Sequence, residues 1–299
     1  MAIGDLTAVP STDTHYVDVG AYDVPGYGSV YLVDAERPAV IDPGLGTNVD
    51  LVIDALDDLG IDDLAYVLTT HVHLDHAGGA GLLLEEFPEA TVLTHEIGVR
   101  HLIDPSRLVA GTKAAVGDQW QYYVDPEPVP DDRIEALADG DAVDLGDRVV
   151  DVIHAPGHAP HQVVFHDRDD DVLFSGDAGG IRPGGTGDLF PTSPPVNFDL
   201  ETCLDDAATI AERNPGRICF GHFGDAAFSP ELMDEYAETL SAWVERVREK
   251  RAELDDDEAV VEYFAETADP IAPWGARKTR AEYRLNARGV LGYLDQRGE

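Results

Sequence analysis

Short apolar runs bounded by polar turn residues recur along most of the chain. They are rich in Val, Ile, Leu and aromatic residues, and many of them end at Gly, Pro or Asp. Runs of this length and composition are typical of β-strands. The predicted strands lie at 15–20, 29–34, 39–44, 64–70, 90–95, 133–137, 148–156, 162–167, 171–177 and 217–222.

Helical periodicity separates these runs and dominates the end of the chain. In residues 49–60 the apolar positions recur every three or four residues, with Asn48 placed to cap the helix and Gly60 to end it. Further helices are predicted at 79–87, at about 199–213 and over most of about 229–298, with an interruption near 268–275. The order strand-rich, helix, strand-rich, helix predicts an α/β fold, an αββα sandwich of two sheets covered by helices.

The chain carries an unusual charge for a protein with ordinary apolar content. It has 59 Asp and Glu residues against 20 Lys and Arg, a formal net charge of −39. The acids are scattered between apolar segments, with short runs only at 167–171 and 255–258. This pattern resembles that of proteins from halophilic archaea. It favours a folded protein adapted to molar salt, where the Debye length is about 3 Å and carboxylate repulsion is screened. The alternative is an acidic surface for basic partners.

Signals for targeting, membrane insertion and thiol chemistry are absent from the sequence. The first twenty residues have no basic start with a following apolar stretch, and no segment approaches the roughly 18 apolar residues that cross a bilayer. Cys203 and Cys219 belong to no Cys-x-x-Cys pair, so neither a disulfide framework nor a thiolate zinc cluster is indicated. We expect a cytoplasmic protein, in a high-salt cytoplasm, without membrane partners.

Three of the eleven histidines lie in the segment LTTHVHLDHAGG, residues 68–79. His71 and His73 are two positions apart, so their side chains can point the same way on an extended segment. Asp75 and His76 follow where the chain turns, beside the first pair. Neutral imidazoles and carboxylates are good ligands for Zn²⁺ and for iron. The cluster therefore predicts a metal site with room for two cations.

Two cations need more than four ligands, and three further candidates each follow a predicted strand. His158 lies in a Pro-Gly turn, Asp177 is followed by flexible glycines, and His222 has a glycine beside it. Loop residues at strand ends are the usual positions of a functional site on a rigid scaffold.

The elements HVHLDH, PGHAP, SGDA and FGHFG, in this order, resemble those of the metallo-β-lactamase-fold hydrolases. The match spans about residues 15–225 and includes VIDPG, a frequent early element of that fold. The resemblance implies the metallo-β-lactamase fold and a metal-dependent hydrolase of the binuclear glyoxalase II or lactonase type. We expect a catalytic domain over 1–228 and a helical C-terminal region over 229–299, packed beside the active site.

The resemblance also implies which residues hold each metal ion. The first ion would be held by His71, His73 and His158, and the second by Asp75, His76 and His222, with Asp177 between them. The cofactors would be two divalent ions, zinc first and iron or manganese next. Ions about 3.5–4 Å apart lower the pKa of a shared water towards about 7, which supplies a hydroxide that attacks a carbonyl.

Three more residues have expected roles around these ligands. Asp75 would orient the hydroxide and relay its proton, and His161 is a candidate for substrate contact or for stabilising an oxyanion. Asp42, in VIDPG, is the expected acceptor for a ligand imidazole N–H. The remaining histidines are expected to be structural or exposed, with His154 steadying the turn before His158.

Several reactions share this ligand set, and hydrolysis of an ester, thioester or lactone is the first expectation. The segment HLDHAGG occurs in lactonases of this fold, and DPGLG suits the glyoxalase II branch, although no glutathione-binding cluster is recognisable. True metallo-β-lactamases lack a bridging aspartate at the position of Asp177, so antibiotic hydrolysis is not expected.

Three alternatives stay open. One is a phosphodiesterase or ribonuclease of the same fold, which the net charge of −39 disfavours. The second is a persulfide dioxygenase with one iron held by His71, His158 and Asp177. The third, a binding module without activity, is disfavoured because no expected ligand is missing. The expected partner is a small-molecule substrate rather than nucleic acid, and a homodimer is compatible with the sequence.

Two further segments have expected places around the site. Arg277, Arg280, Arg284 and Arg288 recur on one face of a predicted helix. They would either clamp an anion or, as we favour, pair with the protein's own acids. The Gly- and Pro-rich segment 178–199 is expected to shape the pocket. The expected apolar and aromatic walls are Tyr22, Tyr27, Trp120, Phe190 and Phe198.

Overall fold

A computed structural model gives the structure of the chain over residues 2–184 and 186–299. In this part of the chain the first sheet has seven strands in sequence order. They are β1 (Leu6–Ala8), β2 (Thr14–Asp18), β3 (Ser29–Val33), β4 (Ala39–Ile41), β5 (Tyr66–Leu68), β6 (Thr91–His95) and β7 (Ile134–Leu137). Strands β1 to β4 are antiparallel, and β4 to β7 are parallel. The carboxyl ends of β4, β5 and β6 therefore share one edge.

The second sheet has six strands over the same described residues. They are β8 (Ala142–Asp144), β9 (Val149–His154), β10 (Val163–Asp167), β11 (Val172–Gly176), β12 (Arg217–Phe220) and β13 (Asp225–Ala227). Neighbouring strands are antiparallel except β11 and β12, which are parallel. The segments that follow β11 and β12 consequently leave the sheet at the same edge.

The helices lie outside the two sheets. They are α1 (Val49–Leu59), α2 (Leu74–Ala77), α3 (Ala80–Glu86), α4 (Val99–Ile103), α5 (Ser106–Val116), α6 (Leu200–Arg213), α7 (Pro230–Leu254), α8 (Asp257–Thr267) and α9 (Gly275–Arg297). The gap between α8 and α9 matches the predicted interruption. In the described part of the chain, no helix is both long and apolar enough to span a bilayer.

Successive side chains of a strand point to opposite faces of its sheet, and the apolar side chains therefore form three layers. In β10, Val163 and Phe165 pack towards the other sheet, whereas Val164 packs towards helices. Helices α1 and α3 cover the outer face of the first sheet, and α6 to α9 cover the outer face of the second. Burial of these side chains supplies the main driving force for folding. The predicted αββα sandwich is confirmed.

The helices that follow residue 229 share a core with the second sheet. Tyr236 and Leu240 of α7 and Leu294 of α9 pack in one cluster with Leu173 and Ile218 of the sheet. These helices therefore shield an apolar sheet face that water would otherwise reach. The division of the chain into domains at this residue stays a prediction.

The predicted cap at Asn48 is wrong. Asn48 does precede α1, but its side chain makes no capping hydrogen bond. Its Nδ2 donates instead to the carbonyl of Val19, in the segment after β2. The amide thus ties the start of α1 to the first sheet, and Asp50 supplies the negative charge that favours a helix N-terminus.

Candidate metal centre

The seven predicted ligands come from four separate segments, the first of which runs from the end of β5 into α2, and meet at the edge where both sheets end. These segments follow β5 (His71 and His73), open α2 (Asp75 and His76), and follow β9 (His158), β11 (Asp177) and β12 (His222). Their nitrogen and oxygen atoms form three overlapping groups, and the atoms of each group lie within 4.8 Å of one another. Residues separated by up to 147 positions, Asp75 and His222, are therefore close enough to share a cation.

The first group consists of three imidazoles. His71 Nε2 lies 3.1 Å from His73 Nδ1, which in turn lies 3.1 Å from His158 Nε2. Four ligands arranged tetrahedrally at about 2.0–2.1 Å from zinc lie about 3.3 Å from one another. The three nitrogens are thus spaced as the ligands of a single ion.

The second group consists of two imidazoles and a carboxylate. His76 Nε2 lies 3.1 Å from His222 Nε2, and His222 Nε2 lies 3.8 Å from Asp75 Oδ2. Both histidines are buried, whereas the Asp75 side chain is 21% exposed. Asp75 is therefore the member of this group that solvent or a substrate can reach.

Asp177 lies between the two groups. Its Oδ2 is 3.3 Å from His158 Nε2, whereas its Oδ1 is 3.2 Å from His76 Nε2 and 3.4 Å from His222 Nε2. Each oxygen of the carboxylate thus faces a different group. Oδ1 is buried and accepts no hydrogen bond from the described residues. A buried acceptor without a partner costs about 1–3 kcal/mol, and a cation removes that cost, so the donor set fits two divalent ions.

Hydrogen bonds orient two ligand rings through Asp42. His76 Nδ1 donates to Asp42 Oδ2 at 2.9 Å, and the hydroxyl of Thr70 donates to the same oxygen at 2.7 Å. Thr70 Oγ1 lies 3.0 Å from His71 Nδ1 and accepts its proton. These bonds leave Nε2 of both rings free for a cation. Asp42 therefore accepts a hydrogen bond from a ligand imidazole, as the sequence predicted.

Two of the remaining three ligand rings are oriented from different elements. His158 Nδ1 lies 3.1 Å from Thr192 Oγ1, and this hydroxyl donates to Asp177 Oδ2 at 3.1 Å. His222 Nδ1 donates to the carbonyl of Tyr27 at 3.1 Å. Sequence reasoning missed Thr70 and Thr192. The position of Thr70, directly before His71 in TTH, was the available signal.

Burial and neighbouring charges set the protonation of the ligands. Burial lowers the pKa of His71 well below its ordinary value and that of His158 to about 3, so both rings are neutral at pH 7. Burial raises the pKa of Asp177, but His222 and the other ligand histidines outweigh it and hold that pKa well below the ordinary value. Neutral imidazoles and an ionised carboxylate are the forms that bind cations.

Two glycines permit the close packing behind the ligands. A Cβ on Gly221 would lie 2.6 Å from Cε1 of His76, so only glycine lets the chain pass behind that ring directly after β12. A Cβ on Gly157 would lie 2.3 Å from the backbone nitrogen of Cys203, where the turn before His158 packs on α6. Both glycines adjoin a ligand in sequence because the backbone there approaches another element closely.

A cleft of about 500 Å³ opens over the ligands. Helix α5, the segment 192–197 and helix α9 contribute most of its walls, together with Tyr22 and Tyr27. The predicted contribution of 178–199 is therefore confirmed for the described part of that segment, since Gly185 lies outside the described residues.

Three of the five predicted walls are not part of this cleft. Phe198 is buried beneath the second sheet and packs on Tyr293. Phe190 lines two neighbouring cavities, and Trp120 stacks on Tyr123 with ring centroids 5.0 Å apart. Large apolar side chains near the site pack against other parts of the protein instead of lining the cleft. The residue types alone could not predict which of them would line it.

His161 lines the cleft beside the first group. Its ring centroid is 5.7 Å from that of His73, and its Nδ1 accepts a long hydrogen bond, 3.4 Å, from the backbone N–H of Val72. Burial lowers the pKa of His161 to about 2, so the ring is neutral and carries its proton on Nε2. The ring thus presents a hydrogen-bond donor beside the first ligand group, and its role in oxyanion stabilisation or substrate contact stays a prediction.

The histidines outside the motifs divide into two kinds. His154 Nε2 donates to the carbonyl of Pro160 at 2.9 Å and so closes the turn around His158, and its ring stacks on His95 at 4.3 Å. His101 is different, because it lines the cleft with its ring 6.2 Å from that of His161. The expectation that His101 is structural or exposed did not anticipate this position, and its role stays a prediction.

Helix α9 brings a buried ion pair to the floor of the cleft. Lys278 Nζ lies 2.7 Å from Glu282 Oε2 and 3.8 Å from the ring centre of Tyr22. The hydroxyl of Tyr27 donates to the same glutamate oxygen at 2.9 Å. Tyr22 in turn donates to Asp75 at 3.4 Å. Sequence reasoning missed this pair, which stands among ordinary helix-surface residues in the sequence.

The four arginines of α9 do not converge on one anion site. Arg284 pairs with Glu262 at 2.7 Å, Arg288 pairs with Glu258 at 2.9 Å, and Arg277 stacks on the Tyr122 ring at 4.7 Å. Arg284 and Arg288 therefore pair with the protein's own acids, which was the favoured expectation.

We expect Asp42→Asn to weaken metal binding about 10- to 100-fold, because loss of a hydrogen-bonded carboxylate behind a ligand histidine typically has that effect. Asp42 has a φ of 53°, a conformation that asparagine tolerates, so the backbone should not change. Competition with a chromophoric chelator measures the affinity, with exposed Asp34→Asn as control. Equal affinities in the two variants would contradict the assigned role.

Two sheets with clustered metal ligands at their shared edge define a metallo-hydrolase fold. Residues 23–222 match the family model described as the Metallo-beta-lactamase superfamily. The chain belongs to this superfamily, and the predicted class, an enzyme of the metallo-β-lactamase fold, is confirmed.

Curated relatives agree with this assignment. The chain is 28% identical over 242 residues to the metallo-beta-lactamase fold-containing protein ST1585 of Sulfurisphaera tokodaii, covering 78% of this chain and 85% of that protein. The crystal structure of ST1585 has a TM-score of 0.70 and covers 94% of this chain and 99% of its own, at 23% identity. This second comparison shows the shared fold.

Two other relatives have names that state a reaction. Acyl-coenzyme A thioesterase MBLAC2 of Gallus gallus is 31% identical over 218 residues, covering 68% of this chain and 74% of that protein. Hydroxyacylglutathione hydrolase of Aeromonas salmonicida is 32% identical over 160 residues, covering 54% of this chain and 48% of that protein.

Proposed function

We propose that this protein is a binuclear, metal-dependent hydrolase that cleaves a small ester or thioester, with lactones as the next class. The observation that carries the proposal is the placement of Asp177, whose two oxygens face two separate ligand groups. The thioesterase and hydroxyacylglutathione hydrolase among the relatives support acyl chemistry. Zinc is the first candidate for the metal because imidazoles and carboxylates predominate.

The residues that would hold the ions are those of the two groups, with Asp177 shared. Two divalent cations at such a site polarise a carbonyl and lower the pKa of a bound water towards about 7. Asp75, the part-exposed carboxylate, accepts the proton of the attacking water and passes it to the leaving group. His161 donates Nε2–H to the oxygen on which negative charge develops. The Tyr22 hydroxyl holds Asp75 in place.

The experiment combines metal analysis with substrate turnover. We infer from the net charge of −39 a cytoplasmic protein of a halophilic archaeon, so purification should keep salt near molar. We expect two equivalents of metal and hydrolysis of thioesters, esters or lactones but not of phosphodiesters. Asp75→Ala should reduce kcat about 10²- to 10⁴-fold, the usual contribution of a general acid–base group. Asp63→Ala, an exposed aspartate, is the control.

Either of two results would contradict the proposal and assign a different function. Turnover of phosphodiesters alone would make the protein a nuclease. One equivalent of iron, with oxygen consumption in the presence of a persulfide, would make it a dioxygenase that uses His71, His158 and Asp177.

A further inference from the structure

Most basic side chains of this acidic chain are engaged by other residues. Among the described residues, the Lys and Arg side chains that make no ion pair, hydrogen bond or ring contact are those of Arg107, Arg213 and Arg280. Only Arg107 lines the cleft over the candidate metal centre. An arginine that makes no close ion pair, although its charge also acts on nearby Asp104, is therefore present at the cleft that contains the candidate ligands. The protein as a whole has 59 acids.

Two more polar donors lie around the same cleft. His101 in α4 accepts a hydrogen bond on Nε2 from Arg100 Nε at 3.2 Å, so its remaining proton is on Nδ1. Arg288 of α9 also lines the cleft, although it shares its charge with Glu258. The rings of His101, His161 and His73 follow one another at 6.2 and 5.7 Å. His101 is thus separated from the candidate ligand His73 by one side chain, that of His161.

The carboxylates that line the cleft do not oppose an anion. Asp75 and Asp177 belong to the ligand groups, where cations would neutralise them. Glu282 is the remaining acid among the described lining residues, and Lys278 neutralises it at 2.7 Å. With cations bound at the ligand groups, the cleft would carry positive charge in a protein whose net charge is −39. Such a difference steers anions to the site.

We propose that the substrate carries a carboxylate or phosphate group in addition to its reactive carbonyl, and that Arg107 binds this group. The proposal rests on the hydrolytic function given above and narrows its substrate to anionic esters or thioesters. Leu108, Ala115 and Val116 of α5 provide apolar contact for the part between the two ends. In the reaction water adds to the carbonyl carbon, the C–S or C–O bond breaks, and the water's proton leaves with the thiol or alcohol.

Matched acetyl thioesters test the proposal. The thiol components are 3-mercaptopropionate, 2-mercaptoethyl phosphate and the neutral 3-mercaptopropionamide, and the variants are Arg107→Gln and Arg213→Gln. We expect Arg107→Gln to raise KM for one or both anionic thioesters about three- to tenfold and to leave kcat unchanged, because a charge-assisted hydrogen bond at a solvent-exposed site is lost. The amide should be unaffected, and the preferred anion identifies carboxylate or phosphate.

The control variant and a second measurement distinguish failure of the Arg107 proposal from failure of the proposed hydrolase function. Arg213→Gln removes an unpaired arginine outside the cleft and should change nothing. An equal loss for the amide, or no loss for either anion, would overturn the role of Arg107 while the hydrolase stands. If the wild type cleaves none of the thioesters, esters and lactones offered, the proposed function fails instead. Calorimetric titration with 3-(methylthio)propionate and its amide still tests Arg107, and equal binding of both would reject it.

Discussion

Asp177→Ala is expected to fold, to bind no more than one metal ion tightly and to hydrolyse acyl substrates about 10³-fold more slowly. Its carboxylate is the shared contact of the two ligand groups, with one oxygen 3.3 Å from His158 Nε2 and the other 3.4 Å from His222 Nε2. A Lewis-acidic pair contributes several kcal/mol to transition-state stabilisation, and each 1.4 kcal/mol is about tenfold in rate.

Metal content and stability are the measurements that distinguish this loss from misfolding. Metal analysis should give two equivalents for the wild type and one or fewer for the variant. Added metal should raise the melting temperature of the wild type more than that of the variant, since binding to the native state stabilises it. Asp62→Ala, an exposed aspartate, serves as the control. A variant with two equivalents and unchanged turnover would contradict the bridging role.

Lys278→Met is expected to lower the free energy of unfolding by about 3–5 kcal/mol, the usual effect of removing one partner of a buried ion pair. The variant leaves Glu282 charged and only 6% exposed, with Tyr27 and Asn286 as its remaining donors. It also removes the cation from the face of Tyr22, so the hydrogen bond from Tyr22 to Asp75 should weaken.

A double variant tests whether the unpaired charge is the cause. Lys278→Met with Glu282→Gln should recover much of the loss, because no charge is then buried alone. Lys250→Met is the matched control, since Lys250 also pairs with a glutamate and lies over a tyrosine ring, at 4.1 Å. The side chains of this pair are 18% and 63% exposed, whereas those of Lys278 and Glu282 are 2% and 8% exposed. Its effect should be clearly smaller. Equal destabilisation by the two lysine variants would contradict the importance of burial.

The sequence predicted the fold well because the fold follows from local patterns. A continuous apolar run such as that at the start of β10 predicts burial on both faces, and the spacing in 49–60 predicts α1. Prediction from local patterns failed for the cap at Asn48. The acceptor that the Asn48 side chain uses, the carbonyl of Val19, lies 29 positions away. A local sequence pattern carries no information on a partner that far away in the chain.

The ligand residues were predicted because their chemistry and their neighbours in sequence are both informative. Imidazoles at positions 71, 73 and 76 have few other uses in one short loop. Glycines beside His158 and His222 indicate close backbone approach, which the contacts of Gly157 and Gly221 explain.

The amino-acid sequence by itself determined the layered fold, the ligand types and the acidic character of this protein, because each is set by side-chain chemistry and short-range spacing. The tertiary structure alone decided that Asp177 presents one oxygen to each group and that Lys278 and Glu282 lie beneath the cleft. It also decided that Arg107 faces the cleft unpaired. These contacts join residues as far apart as Tyr27 and Glu282, 255 positions, and depend on how the sheets and helices pack.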